Sequence, residues 1–178
     1  MPTQSEAVST ERRLLIMATL VALGVVLHRL EALLPLPSPW IKLGLANVMT
    51  LVALVYLGVK EAFIVAILRV FWGSILGGTF MSPTFFLSFA GTLSATLAMA
   101  CFYAGGRGPF SLIGVCVASA YAHTATAFFC VYGFLSTSTS FLKLIPLFSC
   151  LALVSGVLTG LVANDLARRL EAEGIALK

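Results

Sequence analysis

The chain has 178 residues, of which 60% are hydrophobic and 10% charged, with a mean hydropathy of +1.04. A water-soluble domain of this length cannot carry so much apolar surface, so soluble classes are excluded and an integral membrane protein remains. The net charge of +4 sits mostly at the ends of apolar runs. It therefore reports topology and contact with anionic lipid, and gives no support to nucleic-acid binding.

A membrane-spanning helix needs about 20 largely apolar residues, and six such runs follow one another along the chain. The first spans residues 14–34 and is closed by Pro35, Pro37 and Pro39. The second, 43–59, ends at Lys60 and Glu61, and the third, 62–80, follows at once, which implies a tight turn. Pro83 opens the fourth, which runs to Tyr103. Gly105, Gly106, Arg107 and Gly108 lead to a fifth over 110–135, and the tract Ser136–Ser140 reads as a loop. The sixth covers 144–164. The expected architecture is an all-α integral membrane bundle of six transmembrane helices over residues 14–164. A short N-terminal tail, 1–13, and a charged C-terminal tail, 165–178, flank it, and the latter is suited to a surface helix.

Lys and Arg near span ends are retained in the cytoplasm. With six spans both termini share a side, and that side holds Arg12, Arg13, Lys60, Arg107, Arg168, Arg169 and Lys178, against Arg29, Lys42 and Lys143 on the other. This bias predicts both termini in the cytoplasm. The polar first ten residues and the long first run without a small-residue cleavage site argue against a cleaved signal peptide. Cys101, Cys116, Cys130 and Cys150 lie in or beside spans at no metal-ligand spacing, and read as small apolar fillers.

Several chemistries lack their residues. Asp165 is the only aspartate and lies at the end of the last run, so no intramembrane carboxylate pair exists to hold Mg²⁺ or share acid and base roles. No Gly-rich phosphate loop ending in Lys and Ser or Thr is present, so any energy input comes from a partner or a gradient. No cofactor is implied.

The polar groups that remain cluster on one side of the midplane. Arg69 falls about 13 Å up the third helix, near mid-bilayer. Burial there costs on the order of 2.5–3.5 kcal/mol on insertion scales, which predicts that it faces the bundle interior. Gly73 and Gly77 lie four and eight residues on, a GxxxG pair on the same face that invites close helix packing. Applied to the other helices, the same ruler puts His28, Glu31, Asn47, Trp72 and His123 in the outer half, with Trp40 and Lys42 in the proline-rich outer loop. His123 shares a face with Ser119, Cys116, Thr126 and Ala127. The inner half is Leu, Val, Ala and Ile.

This asymmetry points to a pocket open to the outside and sealed below, in which Arg69, Lys42, Asn47, Trp72, His123 and Glu31 would meet an anionic or amphipathic ligand. Other readings stand beside it. Arg69 suits pairing with Glu31, Asn47 with Thr50 suits an interhelical clasp, and Trp40, Trp72 and Lys42 suit interface anchors. Phe80, Phe85 and Phe86 suit lipid or core. On the first helix, Ala18 and Ala22, with Gly24 nearby, form a flat AxxxA strip on which a partner helix can dock.

The segment from Trp40 to Asn47, with Lys60-Glu61-Ala62, Leu68-Arg69-Val70, the glycines from Gly73 to Gly78 and Ser82-Pro83-Thr84-Phe85, resembles the bacterial membrane family called heptaprenyl diphosphate synthase component I, or Gx transporter. The resemblance covers about residues 12–165. That family is in turn similar to the substrate-binding S components of energy-coupling-factor (ECF) transporters. It implies six helices, an outward-facing ligand pocket, and an AxxxA strip, here Ala18 and Ala22, that meets a transmembrane coupling subunit. It also implies two cytoplasmic ATPases as further partners, and a place in the bacterial cell membrane. Prenyl diphosphate synthases carry aspartate-rich DDxxD motifs, and this chain has none.

Three roles follow. The first is a transport binding subunit without covalent chemistry. The second is a non-catalytic membrane accessory of isoprenoid or quinone synthesis, with Arg69 and Lys42 as phosphate contacts. The third is a structural subunit of an electron-transfer complex, for which only the histidines His28 and His123 speak.

Overall fold

A computed structural model describes residues 4–33, 44–103, 111–134 and 143–172. They form six helices: α1 (Gln4–Leu33), α2 (Leu45–Tyr56), α3 (Val59–Leu76), α4 (Pro83–Tyr103), α5 (Leu112–Phe134) and α6 (Ile145–Ala172). Helices meet the demand of a bilayer that every backbone polar group be satisfied within the segment.

Two helices outrun their apolar runs. α1 begins ten residues before the apolar stretch, within the expected tail, and α6 continues without a break into the charged segment, to Ala172. Hydropathy marks where a helix enters lipid, whereas Gln, Glu, Ala, Arg and Lys sustain helix equally well in water.

Four helical stretches are long and apolar enough to cross a membrane, Glu11–Leu33, Pro83–Tyr103, Leu112–Gly133 and Ile145–Arg169, as befits a multi-pass membrane protein. The other two helices differ from the expected full spans. α2 has 12 residues, about 18 Å of helix against a hydrocarbon core of about 30 Å. α3 has 18 residues but carries Lys60, Glu61 and Arg69.

α2 forms the centre of the bundle. It is apolar on all sides and buried from Val48 through Val55, as expected of a helix enclosed by others. α1, α2 and α3 pack on one another, α4, α5 and α6 pack in series, and α2 also touches α4 and α6. Leu51, Val52 and Leu54 of α2 meet Val65, Met99, Val115 and Ala163 in one apolar core.

At the base of this core, the tight turn between α2 and α3 consists of Leu57 and Gly58. Gly58 has φ 120° and ψ 178°, a conformation essentially reserved for glycine. Arg13 of α1 clasps the turn, its Nη2 donating to the Leu57 carbonyl at 2.7 Å and pairing with Glu61 Oε1 at 2.7 Å. Tyr56 donates its hydroxyl to the Ala167 carbonyl of α6 at 3.2 Å.

α3 ends at Leu76, four residues earlier than expected, because Gly77 and Gly78 turn the chain, the latter at φ 64°. Ser82 then caps α4. Its Oγ accepts from the Phe85 N–H at 3.4 Å, with Pro83 at the first helical position, where its missing N–H is harmless. Phe80 packs on Phe71 and Phe85 around this turn, with centroids 5.1 Å apart in each pair. Phe85 is buried, while Phe80 and Phe86 are exposed.

A close backbone approach between helices falls elsewhere, between α5 and α6. A Cβ on Gly156 would lie 2.6 Å from Val117 Cα, and one on Gly160 2.7 Å from Ile113 Cα. This GxxxG pair on α6 lets two backbones touch, and it escaped the sequence reading, whose attention went to Gly73 and Gly77. Those two glycines instead make room for side chains of α1. Gly73 lies under the His28 ring and Gly77 under the Arg29 guanidinium.

Candidate functional site

At the end of the bundle away from Arg13 and Glu61, all six helices contribute to one polar cavity of about 20 Å³. α1 supplies His28 and Glu31, α2 supplies Asn47, with Gly44 just before the helix, and α3 supplies Arg69. Thr92 and Met99 come from α4. Cys116, Ser119, His123 and Thr124 come from α5, and Ser155 and Thr159 from α6. Among the described residues, no Phe, Tyr or Trp lines it.

Arg69 is the centre of this site. It is 3% exposed, so the interior position expected from its insertion cost is observed. Its aliphatic stem crosses Gly24 of α1, where a Cβ would stand 3.2 Å from Arg69 Cδ. Its Nη2 donates to Asn47 Oδ1, a charge-assisted clasp between α3 and α2. Its Nε–H has no hydrogen-bond partner among the described residues.

Glu31 is also buried, and one of its oxygens accepts the backbone N–H of Leu45. Leu45 opens α2, so the carboxylate satisfies an otherwise orphaned donor at the positive end of a buried helix. One formal positive and one formal negative side chain thus share the cavity, held by different parts of α2.

The hydroxyls divide into two kinds. Thr159 Oγ1 donates to the Ser155 carbonyl of its own helix at 2.9 Å and leaves only lone pairs for the cavity. Ser119, 1% exposed, has no partner for its Oγ among the described residues. Leaving a buried donor unmatched costs about 1–3 kcal/mol, and more when it is charged. Arg69 and Ser119, which line the cavity, thus each carry a buried donor without a partner among the described residues. His123 packs on Gly91 of α4, where a Cβ would lie 2.8 Å from its Nε2.

Of the residues singled out in the sequence, Glu31, Asn47, Arg69 and His123 come together here. Trp72 does not. It is 49% exposed and lies on the outer face of α3, one turn from Arg69 in sequence but rotated away from the cavity, so its place among the pocket residues is corrected. Lys42 and Trp40 lie outside the described residues.

Ala18 and Ala22 are exposed on α1. With Trp72, Leu68 and Leu76 of α3 they line an apolar groove of about 740 Å³ between the two helices. Thr92, Ser155 and Thr159 were missed as cavity residues. Their available signal was four-residue spacing, Ser155 with Thr159 and Ser88 with Thr92, which places each pair on one helical face.

A family model described as heptaprenyl diphosphate synthase component I matches residues 20–166. The chain belongs to that family. Of the residues that carry the resemblance in sequence, Gly44, Asn47 and Arg69 all line the cavity. A solved structure described as the S component of a bacterial ECF transporter superposes with a TM-score of 0.72 at 21% identity, covering 92% of this chain and 97% of that one. The fold is that of an S component. No curated protein matches.

Proposed function

We propose that this chain is the membrane-embedded substrate-binding subunit of an ECF-type uptake transporter in the bacterial cytoplasmic membrane, and that it captures a small anionic ligand at Arg69. The observation that carries this reading is the burial of Arg69 in a cavity to which all six helices contribute. A charge kept inside a membrane bundle is expensive and functional by default.

In this reading both termini are cytoplasmic, six helices cross or line the membrane, and the cavity end faces outward. Arg69 supplies the charge for the ligand, Asn47 orients the guanidinium, and His123 borders the bound ligand. Glu31 balances the guanidinium and anchors α2. No covalent step is needed and the chain is not an enzyme. Energy comes from a coupling membrane subunit and two cytoplasmic ATPases, the former docking in the apolar groove that holds Ala18 and Ala22.

The test is purification from the native membrane in mild detergent, with mass spectrometry of copurifying subunits and of extracted small molecules. ATPases with a bound anion are expected. The variant Ala18→Leu with Ala22→Leu is expected to lose those subunits while keeping ligand and thermal stability. The family description favours one other reading, a non-catalytic accessory of prenyl diphosphate synthesis. A soluble prenyl synthase in place of the ATPases would establish it and overturn the first.

A further inference from the structure

Among the described residues the cavity has room for a small head group. Its volume of about 20 Å³ matches roughly one water-sized group, and two of its lining residues carry buried donors, Arg69 Nε–H and the Ser119 hydroxyl, that lack partners among the described residues. Donors so placed suit the oxygens of an anion. The remainder of a ligand must lie elsewhere.

Thr124 shows where. Besides lining the cavity, it lines a groove of about 240 Å³ between α5 and α6, with Tyr121, Ala125, Phe128, Phe148 and Ile145 as further walls. Phe128 and Phe148 meet across the two helices with centroids 6.1 Å apart. The groove reaches the exterior of the bundle, where Phe129 is 72% exposed. By contrast, the larger groove between α1 and α3 shares no residue with the cavity.

Resting on the reading of Arg69 as an anion site, we infer that the ligand is an amphiphile. Its oxyanion head, carboxylate or phosphate, is held by Arg69 and Ser119, and its apolar chain passes Thr124 into the groove between α5 and α6. Thr124, a wall residue common to the cavity and the groove, is what assigns the groove to this occupant. Burial of the chain against Phe128 and Phe148 adds affinity, while the head sets specificity.

The experiment uses the full chain in lipid nanodiscs, with acetate, butanoate, octanoate, inorganic phosphate and octyl phosphate as probes, after subtraction of partition into protein-free discs. Affinity is expected to rise about tenfold for each pair of methylenes lodged in the groove. The carboxylate and phosphate arms identify the head. Ala125→Trp, which fills the groove from its exterior wall and does not line the cavity, is expected to weaken octanoate or octyl phosphate at least tenfold and leave acetate and phosphate unchanged. Phe148→Ala provides a second variant should the tryptophan impair folding, with a several-fold loss for the long probes alone.

A chain-length gain that is absent, or that persists undiminished in both variants, overturns the inference while the anion site stands. Failure of every probe to bind, or binding indifferent to Arg69→Ala, overturns the anion site and the inference together.

Discussion

The two ends of the bundle solve the problem of buried polarity in opposite ways. At the base, around the turn of Leu57 and Gly58, the charged partners Arg13 and Glu61 are partly exposed and pair directly, above which α2 is packed with Leu51, Val52 and Leu54. At the cavity end, Arg69 and Glu31 are buried, each bonded to a different part of α2, and donors are left unmatched. Two of the three buried polar atoms without a partner among the described residues, Arg69 Nε and Ser119 Oγ, belong to residues that line the cavity; the third is Thr50 Oγ1 of α2. This contrast supports the proposal that the cavity end takes a ligand.

The largest expected effect breaks this contrast at its centre. Arg69→Ala removes the buried charge and should weaken anion binding by about a hundredfold, as loss of a charge-assisted contact worth about 1.5–3 kcal/mol predicts. Titration of the reconstituted protein checks this, with a melting curve to establish that the bundle survives. Arg69→Lys should recover only part of the loss, because an ammonium lacks the planar fork that reaches Asn47 and a second acceptor together.

Next in size is the α5–α6 contact. Gly156→Ala with Gly160→Ala places methyl groups 2.6 and 2.7 Å from backbone atoms of Val117 and Ile113. The helices must then part, at a cost of about 1–3 kcal/mol in thermal or denaturant unfolding. Gly77→Ala is the matched control. There the new methyl meets the end of the Arg29 side chain, which can swing aside, and the loss should be well under that of the double variant.

Glu31→Gln keeps an acceptor for the Leu45 N–H but removes the negative charge near Arg69. Anion affinity should rise several-fold, with helix α2 intact by circular dichroism. Unchanged affinity would mean that Glu31 is balanced by another group. Arg13→Ala should have the smallest effect, at most about 1 kcal/mol on unfolding and none on binding, because its ion pair is partly exposed and solvent screens it.

The uneven legibility of the site has a physical origin. Arg69 was readable because one charge in a long apolar run has few tolerable places. Asn47 and Glu31 were readable as polar groups near helix ends on the same side of the midplane. Thr92, Ser155 and Thr159 were hidden, since a hydroxyl in a membrane helix usually bonds its own i−4 carbonyl, as Thr159 does, and so carries little positional information. Trp72 was misplaced for a related reason. A ruler along the helix axis gives depth but no rotation, and depth alone put it beside Arg69.

Hydropathy is a local, additive property, and for that reason the sequence by itself determined membrane residence, the existence of the helical segments and the interior place of Arg69. Which faces meet is a property of pairs of helices. Spans that are apolar all round carry no stripe to announce their inward side, so only tertiary packing decided that Trp72 joins Ala18 and Ala22 on the outer wall, that Gly156 and Gly160 bring α5 and α6 into contact, and that hydroxyl residues of α4, α5 and α6 line the same cavity as Arg69.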